Sequence, residues 1–143
     1  MYFEELTVGL SAETARVVTQ ADIVAFAEVS GDRNAVHLNP EYAAKSSFKG
    51  VVAHGMLSAS FISGVLGTKL PGEGTIYVSQ SLRFLAPVRP GDTVITCVTV
   101  KETRPSPKSR GEVICTTISR VDDKIVIDGE AMVLVPKLNL RAA

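Results

Sequence analysis

Apolar positions change their spacing twice along this chain. Residues 1–11 scatter Tyr2, Phe3, Leu6 and Val8 ahead of Gly9 with no regular period, so they read as a leading segment. Residues 15–18 suit a short strand. Thr19 followed by Asp22 makes a weakened capping box, and Ile23, Phe26, Ala27 and Ser30 then fall at helical spacing until Gly31, which predicts a helix over residues 20–29. Asn39 before Pro40, with Glu41 in the first turn, predicts a short helix over residues 40–46. The run GMLSASFISGVL, residues 55–66, is apolar or small on every side, the pattern of a helix buried all round. Gly67 and Pro71 end it.

Beyond GTKLPGEG the period becomes two. Over residues 75–85, Ile76, Val78, Leu82 and Phe84 take one face and Tyr77, Ser79, Ser81 and Arg83 the other, with Gln80 as a polar interruption. Further strands are predicted at 93–102, 112–121 and 125–135, separated by a proline- and arginine-rich loop and by the turn Asp122, Asp123, Lys124. A helix apolar on all sides cannot be solvated, and consecutive alternating strands with short links form an antiparallel sheet. The chain therefore reads as α+β, with the sheet wrapped around that helix. No repeat or linker divides it, so one domain spans residues 1–143 with its core at about 12–136, and the tail LNLRAA is expected to be loose.

Composition narrows the function. Of 143 residues, 45% are hydrophobic and 21% charged, an ordinary globular balance, and 15 basic against 15 acidic residues remove the global charge that a nucleic-acid binder carries. No basic region leads into an apolar run, and no apolar stretch is long enough to span a bilayer, so the expectation is a cytoplasmic protein without a membrane partner. Cys97 and Cys115 lie in strand-like runs without a CxxC spacing and read as buried thiols.

The candidate chemistry concentrates in residues 30–57, which hold both histidines, His37 and His54, and Asp32. Asp32 and His37 are five residues apart in a stretch that contains Gly31 and Asn34, so the backbone can curl and bring carboxylate and imidazole together as an acid/base pair. The alternative is a turn in which Asp32 and Asn34 cap backbone amides and His37 simply packs. His54 can cap the following helix, contact the loop or pack. Asp32, His37 and His54 could nominally make a two-histidine, one-carboxylate metal face, but no local HxD or HxxxH spacing supports it, and no metal is expected.

The stretches SGDRNAVHLNPEYA and AHGML, followed later by QSLRFLAPVRPGD, resemble the MaoC-like, (R)-specific enoyl-CoA hydratases, over residues 17–136. The chain departs from that family's pattern at Ala35, where proline is usual, and at Asn39, where aspartate is common. The resemblance implies a hot-dog fold, a homodimer with its sheets joined edge to edge, and an acyl-CoA substrate with no separate cofactor. It implies that Asp32 and His37 activate one water, with Asn34 in support, to convert a trans-2-enoyl-CoA reversibly to the (3R)-3-hydroxyacyl-CoA.

Negative charge then builds on the thioester oxygen. Gly55, at the start of the buried helix, has an amide able to approach that oxygen, unless the glycine serves packing alone. The resemblance points to Ser63, Leu66 and Met132 as the acyl tunnel. Arg104, Lys108 and Arg110 form the dense basic run available to CoA phosphates, with a solvated loop as the plain alternative and Arg83 as another candidate. Competing functions are a related dehydratase on another acyl thioester, a hot-dog thioesterase and a non-catalytic acyl-CoA-binding subunit.

Overall fold

The computed structural model describes residues 1–138; the expected loose tail lies, save for Leu138, outside them. After one 3-10 turn at Phe3–Glu5 come β1 (Ser11–Val17), α1 (Gln20–Ser30), α2 (Ala35–Leu38), α3 (Pro40–Lys45) and α4 (Gly55–Thr68). Then follow β2 (Ile76–Phe84), β3 (Thr93–Arg104), β4 (Arg110–Val121) and β5 (Lys124–Pro136). The strands pair antiparallel in the order β1-β3-β4-β5-β2, so β1 and β2 are the edges.

α4 packs against one face of this sheet, as the α+β expectation has it. Ile62, Val65 and Leu66 share one core with Val98 of β3, Val113 of β4 and Val133 of β5. Each such side chain contributes roughly 1.5–3 kcal/mol when fully buried. The inner face also carries Thr96, Thr117 and Ser119, all fully buried. Ser119 Oγ donates to Thr96 Oγ1 at 3.3 Å, and Thr117 Oγ1 accepts from Gln80 Nε2 at 2.8 Å.

The structure corrects several expectations. α4 is not buried all round: its sheet face is covered, while Met56, Ser60, Ser63, Gly64 and Gly67 lie exposed on the other. An apolar residue at Met56 and small ones at Ser60, Ser63, Gly64 and Gly67 removed the polar signal that normally marks an open helix face. β1 begins at Ser11 rather than residue 15, its alternation hidden because Ala12 is small and Glu13 and Thr14 are polar. In β2 a bulge between Tyr77 and Ser79 shifts the register. Tyr77 therefore shares the inner face with Gln80, Leu82 and Phe84, opposite Val133, Ala131, Gly129 and Ile127. Gln80 is accommodated there because Gly129 lacks a side chain; a Cβ at Gly129 would stand 2.1 Å from Ser81 O and 2.9 Å from Gln80 Nε2. Cys115 is buried as expected, but Cys97 is only half-buried, its Sγ 3.2 Å from Ser11 Oγ at the β1 edge.

Candidate active site

A sequence of local caps builds the loop between α1 and α3. α1 ends at Gly31 in the left-handed region, with φ 79°. Asp32 Oδ1 then accepts from Asn34 N at 3.1 Å, and Asn34 Oδ1 accepts from Val36 N at 3.2 Å, which starts α2. The stretch read as a turn thus contains one helical turn, and His37 is on it. Asn34 is its N-cap, a supporting role with a defined geometry.

Both departures from the family pattern are explained here. Ala35 is the first helical residue, where proline's fixed φ suits a helix start. Asn39 Oδ1 accepts from Tyr42 N at 3.1 Å and caps α3, work that an aspartate would do equally.

Backbone carbonyls fix both imidazoles. His37 Nδ1 lies 2.7 Å from Val52 O, and a carbonyl only accepts, so Nδ1 carries the proton and Nε2 keeps the lone pair. His54 Nε2 lies 2.9 Å from Asp32 O, so there Nε2 carries the proton. The two rings stack at 3.8 Å between centroids, and the Phe26 ring of α1 lies tilted by 55° against His54 at 4.9 Å. His54 stands at the N-cap position of α4 without a capping bond from its side chain. Of the readings open to it, contact with the loop is the one observed. A carboxylate oxygen of Asp32 and a ring nitrogen of each histidine lie within 4.8 Å of one another. One water with two hydrogen bonds of about 2.8 Å spans such a distance.

These groups open onto a cleft of about 530 Å³ that also includes Asn34, Gly55, Ser58, Phe84 and Ile127. Gly55 opens α4, where first-turn amides lack a carbonyl within the helix. A Cβ on it would stand 2.7 Å from two carbons of the Phe84 ring, so any larger residue would require that half-exposed ring to move. Phe84 arrives from β2, and its meeting with Gly55 had no local signal in the sequence.

The remaining candidates stand elsewhere in the single chain. Leu66 is 1% exposed in the core, Ser63 faces out from α4, and Met132 lines a separate groove with Ser79 and Ile114. Arg104 pairs with Glu102 at 2.9 Å, Lys108 is exposed, and Arg110 donates to Gly74 O. By register Arg110 is opposite Pro136, nine positions along β5 from Ile127, or about 30 Å at ~3.3 Å per residue. Arg83 is opposite Asp128 on the outer face of the sheet.

Comparison with known proteins gives this geometry its context. Residues 5–122 match the MaoC like domain family. The chain is 52% identical over 135 residues to an (R)-specific enoyl-CoA hydratase of Rhodospirillum rubrum, covering 94% of this chain and 92% of that one. It is 47% identical over 137 residues to a 3-hydroxybutyryl-CoA dehydratase of Methylorubrum extorquens, covering 96% and 85%. Among solved structures, the (R)-hydratase from Aeromonas caviae involved in PHA biosynthesis superposes with a TM-score of 0.87 at 39% identity, over 93% of this chain and 99% of that one. The fold is the hot-dog fold of those hydratases. From the match over residues 5–122 and relatives this similar along nearly their whole length, the chain belongs to the MaoC-like family.

Proposed function

We propose that this protein adds water reversibly across the C2–C3 double bond of a trans-2-enoyl-CoA to give the (3R)-3-hydroxyacyl-CoA. The observation that carries this reading is the Asp32 carboxylate beside the two histidines, with one lone-pair nitrogen of His37 left over by its bond to Val52. The water sits between the Asp32 carboxylate and His37 Nε2. Its oxygen bonds to C3 as one of its protons passes to the pair, and the pair returns a proton to C2, so that one water is added in total. Charge on the thioester oxygen meets the Gly55 N–H, a donor worth about 10²–10³ in rate in a protected site. The reaction calls for no metal and no cofactor beyond the CoA of the substrate. Names of the relatives support both directions, hydration in one and dehydration of a four-carbon acyl-CoA in the other.

The working unit in this reading is a homodimer in the cytoplasm; no helix of the described residues is long and apolar enough to cross a membrane. β2 is an edge strand, and its Ile76, Val78 and Phe84 are each about half exposed. Two copies related by a two-fold axis pair identical edges antiparallel. That pairing sets the Ile76 end of one β2 beside the Phe84 end of the other. Arg110, bonded to Gly74 just before β2, is then carried toward the other copy's cleft, with Lys108 and Arg104 near it to meet CoA phosphates. Ser63, exposed on α4, borders the acyl chain at that interface, whereas Leu66 lies in the core beneath α4 and Met132 on the other face of the sheet, apart from it.

The test is trans-2-butenoyl-CoA with purified protein, following the conjugated thioester absorbance and free CoA together and assigning the product configuration. Loss of absorbance without CoA release, giving the (3R) product, is expected. Release of free CoA would replace this reading with a thioesterase. Inertness toward butenoyl-CoA and longer enoyl-CoAs, with turnover of a carrier-protein thioester, would replace it with a dehydratase of that class.

A further inference from the structure

The wall of the cleft holds two buried polar atoms for which no described protein group is a hydrogen-bond partner, His54 Nδ1 and Ser58 Oγ. Both residues line the cleft, and they are 2% and 1% exposed. A serine inside a helix ordinarily turns its hydroxyl back onto a carbonyl of the preceding turn. On α4, Ser60 does this to Leu57 O and Thr68 to Gly64 O. Ser58 does not, and its hydroxyl stays at the cleft wall.

The chemistry of the two atoms is complementary but not to each other alone. His54 donates through Nε2 to Asp32 O, so its Nδ1 has a lone pair and needs a donor. The Ser58 hydroxyl can donate or accept. His54 O accepts from Ser58 N at 3.4 Å at the entry to α4, and both side chains line the same cleft, where one small molecule bonded at about 2.8 Å on each side can join the two atoms. A molecule that accepts from Ser58 and donates to His54 is a water, and a buried water with such partners is part of a structure.

We propose that Ser58 and His54 hold an ordered water in the cleft wall, and that through it Ser58 steadies the His54 ring, whose Nε2–H holds Asp32 O, and hence the position of Asp32. The line runs from Ser58 Oγ to the water, to His54 Nδ1, across the ring to Nε2–H and on to Asp32 O. Without a donor at Nδ1 the proton stays on Nε2, where Asp32 O accepts it, but the buried Nδ1 lone pair is left unpaired and the ring loses one of its two tethers. The ring can then shift, and the loop that presents the carboxylate loses the fixed position of its anchor. Ser58 is in this sense a positioning residue. The use of Asp32 rests on the hydratase reading; the water and the tautomer do not.

Histidine-ring ¹⁵N spectra and a crystal structure at a resolution that shows waters test this in the ligand-free protein. The wild type is expected to show His54 as the Nε2–H tautomer, with a water in hydrogen-bonding distance of both His54 Nδ1 and Ser58 Oγ. In Ser58→Ala the water is lost, the His54 Nδ1 signal moves downfield as its lone pair loses a donor while the Nε2–H tautomer persists, and kcat on trans-2-butenoyl-CoA falls by about ten- to a hundredfold, the scale of a small misplacement, at unchanged KM. A wild-type site without that water overturns the proposal, as does a His54 spectrum in Ser58→Ala identical to wild type. A wild type that shows the water and the tautomer but hydrates no enoyl-CoA supports the proposal and strikes the functional reading instead.

Discussion

His37 presents Nε2 to the cleft because Val52 O occupies Nδ1 at 2.7 Å, and Asp32 stays beside it because His54 holds its carbonyl at 2.9 Å. Asp32→Asn leaves both anchors in place, and in His37→Gln the side-chain amide N–H can donate to Val52 O in the place of Nδ1. Asp32→Asn and His37→Gln should therefore each lower kcat by about 10²–10⁴ without shifting the melting temperature. Near-wild-type turnover in either variant would take that residue out of the reaction. The neighbouring Ala35 offers the opposite kind of change. It opens α2, and the preceding Asn34 has φ −55° and ψ 132°, a conformation that tolerates a following proline. Ala35→Pro is expected to raise stability by about 0.4–1 kcal/mol through the unfolded chain, read as a higher urea midpoint at an unchanged slope. A fall in the midpoint would mean that the helix start is strained.

At the scale of elements, β2 and β5 approach so closely at Gly129 that a Cβ would stand 2.1 Å from Ser81 O, a backbone atom that cannot swing aside. Gly129→Ala should push the two strands apart, break the Gln80–Thr117 bond and lower the melting temperature by several degrees. Faster amide exchange should be confined to β2 and the facing part of β5, and exchange faster throughout the protein would mean that the glycine matters for another reason.

The same strand shows where the sequence was readable. Alternation located β2 and marked Gln80 as an odd polar residue, but the bulge at Val78 that turns Tyr77 inward depends on pairing with β5, which is remote in the chain. Likewise the glycine-, asparagine- and proline-rich spacing of residues 30–40 marked the loop, since caps are local chemistry. The bond from His37 to Val52, the stacked rings and the Phe84 ring over Gly55 come from tertiary approach and leave no periodic trace. The small residues of α4 misled for a related reason: serine and glycine fit a covered helix face and an open one alike.

For the molecule as a whole, stability at high pH has an identifiable contribution. Burial pushes the Cys115 thiol up to about 11 from 9.0. The unfolded chain then loses that proton before the folded one does. The folded state's advantage is complete below about pH 9 and is lost as pH rises toward 11. The melting temperature is expected to drop across that interval by less in Cys115→Val than in wild type; equal drops would clear the thiol.

The exposed β2 edge bears on assembly. Ile76→Lys combined with Val78→Lys places charge on two half-exposed positions of that edge. Sedimentation should then show a single chain where the wild type shows a pair, with catalysis lost in step; an unchanged wild-type-like pair would place the interface elsewhere.

Finally, both imidazoles are tethered to main-chain oxygens, those of Val52 and Asp32, rather than to side chains. Much of the surrounding rim, including Phe48, Met56 and Leu85, contributes only its apolar bulk to the cleft. The catalytic geometry and the shape of the opening are thus encoded by different atoms. Substrate range can drift, or be redesigned, by exchanging rim residues while the pair that handles the proton stays registered to a scaffold that point mutations scarcely touch.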